Sequence, residues 1–157
     1  DCLSVDGARQ QVADDCGDTH ICFAPYTVSH DRVFYGMVRH MGVFVSHYGK
    51  VSSYGLTKKG WFNTPDILLE GGITRSGKNI STGYDINIIG IKKIFPNDIK
   101  HFQIKGKLNY SVLEWGGHNC ASIVVKIAEE LDHPMNCRNY IGDYAIGPNI
   151  PRLCYFI

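Results

Sequence analysis

No apolar stretch of this chain is long enough to span a bilayer. Its runs, such as Ile86 to Ile91, fall far short of the ~20 residues a membrane helix needs. An excess of one charge is also missing: 16 Lys and Arg stand against 15 Asp and Glu, for a formal net charge of +1. With no basic stripe, nucleic acid is not an expected partner. There is no CxxC pair and no regular Cys/His spacing, so neither a zinc site nor another metal or cofactor is expected. Internal repeats, low-complexity tracts and linkers are absent too. The 157 residues therefore read as a single domain, 1–157, with room for one sizeable core. The sequence starts at Asp1 and not at Met, which would fit a matured secreted chain or a trimmed one.

Cysteine, in contrast, is plentiful. Of the six, Cys2, Cys16 and Cys22 lie near one end, and Cys137 and Cys154 near the other, with Cys120 between. Cysteines crowded at both termini suit disulfides that tie down ends otherwise prone to fray, which points to an oxidising, secreted or periplasmic setting. Sequons at Asn79 and Asn109 would carry glycans only in a eukaryotic secretory pathway. Hydrophobic content of 44% with 20% charged residues is ordinary for a globular fold.

Along the chain, a short helix is expected around Val5 to Asp14, then a strand in ICFAPYTVSH from Ile21. In MVRHMGVFVSHYGKVSSYGL the pattern alternates. Val38, His40, Gly42, Phe44 and Ser46 fall on one face; Arg39, Met41, Val43 and Val45 fall on the other. Tyr48-Gly49-Lys50 reads as a hairpin turn into a strand from Val51 to Leu56. Residues 57–83, rich in Gly, Lys, Ser and Thr, read as a loop over a site. YDINIIGIKKIF is a further strand, and a short helix is expected to open at Pro96 to Asp98. Ile123, Val124, Ile127 and Leu131 recur at helical spacing, which predicts a helix from Asn119 to about Asp132, stopped at His133-Pro134. The tail after Cys137 reads as extended. The expected fold is α+β, a sheet with one principal helix packed on it.

The helix begins in WGGHNCAS, and this placement carries chemistry. With Asn119 as N-cap, Cys120 falls on the first turn. There the free backbone N–H groups and the macrodipole favour negative charge, so a thiolate is stabilised below its ordinary pKa of ~8.5. The same N–H groups could hold the oxyanion of a tetrahedral intermediate. Gly116 and Gly117 would let a substrate backbone approach closely. The bland reading of Cys120 is a small buried residue or a disulfide partner. A nucleophilic Cys needs a base. Among the seven histidines, only His40 sits within a clear strand, with small Gly42 beside it on the same face; its bland reading is a packed, half-buried ring. His118, two residues from Cys120, would line the site without serving as base. Cys22 is the rival nucleophile, but Pro25 followed by β-prone Tyr26, Thr27 and Val28 argues against a helix opened by it.

RHMGVFVSHYGKVSSYG resembles the histidine strand of NlpC-type papain-fold hydrolases, where a His is followed by an apolar-Gly-apolar-aromatic run and a turn. YSVLEWGGHNCASIVVKIAEEL resembles the cysteine helix of the circularly permuted branch of that fold, in which the His strand precedes the Cys helix as His40 precedes Cys120 here. The branch includes desumoylating-type isopeptidases, lecithin:retinol acyltransferase-like enzymes and bacterial amidases. The likeness covers about 40 residues in two blocks. It implies a papain-like antiparallel sheet packed on a cysteine-bearing helix, and a Cys–His hydrolase with Cys120 as nucleophile and His40 as base. In such folds an orienting polar residue lies on the strand after the histidine. Ser53 and Tyr54 are the candidates there, and neither matches the family pattern closely.

For a secreted, disulfide-bearing hydrolase of this size, amide bonds of peptidoglycan cross-links or stem peptides are the expected substrate. Gly117, His118, Asn119 and Tyr54 would contact it, and an immunity or inhibitor protein is a conceivable partner. Lipid acyl transfer by the same fold is the alternative enzyme. The competing class is a disulfide-stapled secreted binding or toxin module in which Cys120 is bridged.

Overall fold

The computed structural model describes residues 3–28, 41–54, 56–57, 60–61, 85–96, 120–136, 138–141, 144–149 and 154–157; for residues 28, 56–57, 60–61, 85, 120, 138–141 and 144–149 it describes the backbone alone. Pro96, where a short helix is expected to open, is helical; residues 97–119, most of the stretch 57–83 and both sequons lie outside the described residues.

The frame is an antiparallel sheet with a helix on each face. Strand β1 (Leu3–Ser4) leads into helix α1 (Val5–Cys16), followed by β2 (Ile21–Val28), β3 (Met41–His47) and β4 (Lys50–Tyr54). Short strands β5 (Leu56–Thr57) and β6 (Gly60–Trp61) pair with each other, and β7 (Asp85–Ile88) and β8 (Lys92–Ile94) return to the main sheet. After helix α2 (Cys120–Glu130) come β9 (Met135–Asn136), β10 (Arg138–Ile141), β11 (Tyr144–Asn149) and β12 (Tyr155–Phe156). The main sheet runs β1-β7-β2-β3-β4, with β8 also on β2; β10 pairs with β11, and β12 with β9.

The alternation in β3 is real, but neither face meets water. Met41, Val43 and Val45 pack with Phe23, Tyr54, the α2 residues Val124 and Ile127, and Leu131 just after the helix. Phe44 packs with Ala24, Tyr26, Ile86 and the α1 residues Val5, Ala8 and Val12. The expected single principal helix is thus half of the arrangement. Helix α1 covers the second face with a stripe of small residues three to four apart. Its start is capped by Ser4, whose Oγ accepts the Gly7 N–H at 3.1 Å, and its end by Gly17, whose N–H reaches the Ala13 carbonyl at 2.9 Å. Arg9 ties it to the sheet edge, donating to the Val51 carbonyl at 2.5 Å and to Ser53 Oγ at 3.4 Å.

The strand expected from Tyr84 to Phe95 is one bulged segment. β7 pairs Ile88 with Tyr26, whereas β8 pairs Lys92 with Phe23, and the register moves by one residue between them. The shift swaps faces. Ile86 and Ile88 serve the α1 side, and Ile89 and Ile94 serve the α2 side. Pro25 sits where the ladder breaks, its carbonyl accepting from Ile89 at 2.9 Å. A proline lacks the N–H a central strand would donate, so a bulge is where it is tolerated.

The β3–β4 hairpin turns through Tyr48 and Gly49, both in the left-handed region at φ 50° and 90°. A Cβ on Gly49 would lie 2.8 Å from Asp18 Oδ1, a side-chain end free to move aside, so it is the positive φ that calls for glycine there. Gly42 is needed for space alone. Tyr26, its cross-strand partner, lays its ring over it, and a Cβ would fall 2.5 Å from the Tyr26 hydroxyl and 2.9 Å from the Tyr54 carbonyl. Gly42→Ala is expected to cost ~1–3 kcal/mol by overpacking. Thermal unfolding followed by circular dichroism should read this as a fall of about 3–10 °C. An unchanged midpoint would mean that the Tyr26 ring swings clear at no cost.

Candidate active site

Helix α2 is the element on which the site would be built, and its direction can be read from its two ends. Beyond its C-terminus, His133 Nε2 lies 2.9 Å from the Lys93 carbonyl. Lys93 pairs with Cys22, and Cys22 with Ser46, which places this end of the helix by the His47 end of β3. Helix α2 also lies against β5. β5 follows Tyr54, the partner of Val43, at the Met41 end. The helix therefore runs along β3 in the same direction. Its 11 residues cover ~16 Å, and the seven of β3 ~20 Å, so the two are nearly matched. Cys120, the first residue of α2, starts at the end of the sheet where the chain enters β3.

The start of a helix favours an anion. No acidic residue lies in the first turn of α2 to offset its dipole. Behind Cys120 the helix is apolar and anchored: Ala121, Ile123, Val124, Ile127 and Ala128 are almost completely buried. A helix start fixed by such a core keeps its N–H groups aimed at one place, as an oxyanion site requires.

Of the other residues expected at the site, His40, Gly117, His118 and Asn119 lie outside the described residues. The face expected for His40, shared with Gly42, Phe44 and Ser46, is the one packed under α1, while Cys120 belongs to the helix on the opposite face. A His40 ring that meets Cys120 thus requires the alternation to end at Met41. Tyr54 is 1% exposed within the α2-side core. It is a packing residue of the sheet and is not placed to line an open groove. Ser53 faces α1 and receives Arg9. The two candidates for the orienting residue therefore lie on opposite faces. Arg9 has no motif to announce it, and sequence reading passed over it.

Cys22 is corrected. It is 1% exposed in β2 and bonded to Cys16, with Cα atoms 6.0 Å apart. A sulfur in a buried disulfide is not an attacking thiolate. Iodoacetamide applied without reductant is expected to leave Cys22 unlabelled, and peptide mapping would detect an adduct if this is wrong. Cys154 is disulfide-bonded as well.

The described histidines are remote from Cys120. His47 ends β3, His20 precedes its partner Ile21, and His133 follows α2. Burial lowers the His47 pKa from its ordinary value, and its ring meets Tyr48 edge-on at 4.6 Å. None of the three is at the Met41 end.

No family model, curated protein or solved structure matches the chain. Among the described residues, no helix is long and apolar enough to cross a membrane.

Proposed function

We propose that this chain is a secreted cysteine hydrolase of papain-like, circularly permuted NlpC type that cleaves amide bonds, with peptidoglycan cross-links or stem peptides as its substrate class. The observation that carries this reading is the position of Cys120: first residue of a core-anchored helix, at the end of the sheet where the chain enters β3 directly after His40. The Cys16–Cys22 disulfide supports an oxidising compartment.

In this mechanism the Cys120 thiolate attacks the amide carbon, and the oxyanion is held by N–H groups at the start of α2. His40, having taken the thiol proton, passes it to the departing amine as the C–N bond breaks. Water then loses a proton to His40, adds to the thioester and expels Cys120 as thiolate, leaving the carboxylic product.

The test is alkylation of the unreduced protein with iodoacetamide from about pH 5 to about pH 9, with labelled cysteines mapped by mass spectrometry. Rapid labelling of Cys120 well below its ordinary pKa, slowed in His40→Ala, is the expected result. A Cys120 found in a disulfide ends its role as nucleophile and favours the stapled binding module.

A further inference from the structure

We infer that Cys154 is bridged to Cys137, linking the paired strands β9 and β12 covalently. The inference goes beyond the proposed hydrolase and does not depend on it. Cys154 is in a disulfide. The strand that follows Cys154, β12, pairs antiparallel with β9, Phe156 opposite Met135 and Tyr155 opposite Asn136. Cys154 and Cys137 each stand one residue past the end of this ladder in sequence, so the same register continued one step would set them opposite each other.

The hydrogen-bond pattern tells which kind of pair this is. The Ile157 N–H donates to the Pro134 carbonyl at 3.0 Å, one step before Phe156 and Met135. Hydrogen-bonded and non-hydrogen-bonded pairs alternate along an antiparallel ladder. The Ile157–Pro134 pair is of the first kind, so on the continued register a 154–137 pair would be of the second. In that kind the Cα atoms approach to ~4.5 Å and the side chains are closest, within the span a disulfide bridges. The faces agree too. Cys154 and Phe156 both pack on the α2-side core, which contains Met135; two residues on from Met135, a continued strand would return to that face at 137. Closing the bond from two thiols releases two protons and passes two electrons to a disulfide-bearing oxidant, by the exchange chemistry that also serves Cys16–Cys22.

One consequence reaches the candidate site. With Cys16–Cys22 and Cys137–Cys154 assigned, Cys2 is the single cysteine left within the chain to which Cys120 could be bonded.

The experiment is a tryptic map of the full chain, blocked with N-ethylmaleimide and left unreduced. Cleavage after Lys and Arg puts Cys2 in residues 1–9, Cys120 in 108–126, Cys137 in 127–138 and Cys154 in 153–157, each in its own peptide. Peptides 127–138 and 153–157 are expected as one linked species that separates on reduction. In Cys154→Ser, one additional maleimide is expected per chain, at Cys137. Linkage of 153–157 to 1–9 overturns the pairing and leaves the hydrolase reading standing. Linkage to 108–126 overturns both. If the Cys154→Ser chain does not fold, the wild-type map alone decides.

Discussion

Cys120→Ala is expected to abolish amide cleavage on purified sacculi while leaving the fold intact. Removal of a cysteine or serine nucleophile typically costs ~10³-fold or more in turnover, because the covalent path is lost and only binding and oxyanion stabilisation remain. The fold should not notice. Alanine is the best helix former, and Cys120 stands at the first position of α2, where it leaves no gap in the helix hydrogen-bond ladder. Circular dichroism and the thermal midpoint should therefore match the wild type, while release of soluble muropeptides falls to background. His40→Ala is expected to approach the same loss if that ring is the base, and Tyr54→Phe to keep most of the activity, since Tyr54 is buried in the core. Full digestion by Cys120→Ala would sink the hydrolase mechanism as drawn. Digestion lost in Cys120→Ala but kept in His40→Ala would retain the nucleophile and reassign the base. The opposite facing of β3 and α2 makes this second outcome instructive, because it is the one expected if the alternation continues unbroken through position 40.

Those residues also mark how far the sequence could be read. The β3–β4 hairpin was legible because its signals are local: β-branched residues and aromatics on both sides of a turn whose Tyr48 and Gly49 adopt positive φ. Helix α2 was legible for the same reason, with apolar residues at one period and a Pro stop. Helix α1 was expected as an element but not as a layer. Its buried stripe is Val5, Ala8, Val12 and Cys16, too small and too diluted by Asp and Gln to advertise a core face. The bulge between β7 and β8 could not be read either. Nothing in DINIIGIKKI demands a register shift; the demand comes from Pro25 on a partner strand some 60 residues away in sequence. Pairing of Cys16 with Cys22 depends likewise on α1 and β2 meeting in space. As for the site, the start of the cysteine helix was visible in the residues, whereas His40, Gly117, His118 and Asn119 lie outside the described ones.

Phe44→Ala is expected to be the most destabilising single substitution on the α1 side, at ~3–5 kcal/mol. Phe44 is fully buried, stacks on Tyr26 with ring centroids 4.4 Å apart, and meets Ala24 and Ser53 across its two neighbouring strands. Removing the ring costs its transfer from water and leaves a cavity beneath α1. Collapse into that cavity is resisted, because α1 is pinned at Arg9 to the β4 backbone and at Cys16 to β2 by the disulfide. The void should therefore stay largely open, which places the cost high in its range. For a chain of 157 residues, this corresponds to a fall in the thermal midpoint of about 10 °C or more. Phe95→Ala is the control: Phe95 is 65% exposed, and its loss should change stability by no more than ~0.5 kcal/mol. The transition should remain single in Phe44→Ala, since β2 and β3 carry both cores and neither can unfold while the other stays packed. Two separate transitions, or a shift no larger than that of Phe95→Ala, would mean that α1 is an accessory to the sheet and that the α2 side carries the fold alone. Below the lowered midpoint, the pH profile of Cys120 alkylation should be unchanged by Phe44→Ala, because the thiol belongs to the helix on the other face of the sheet.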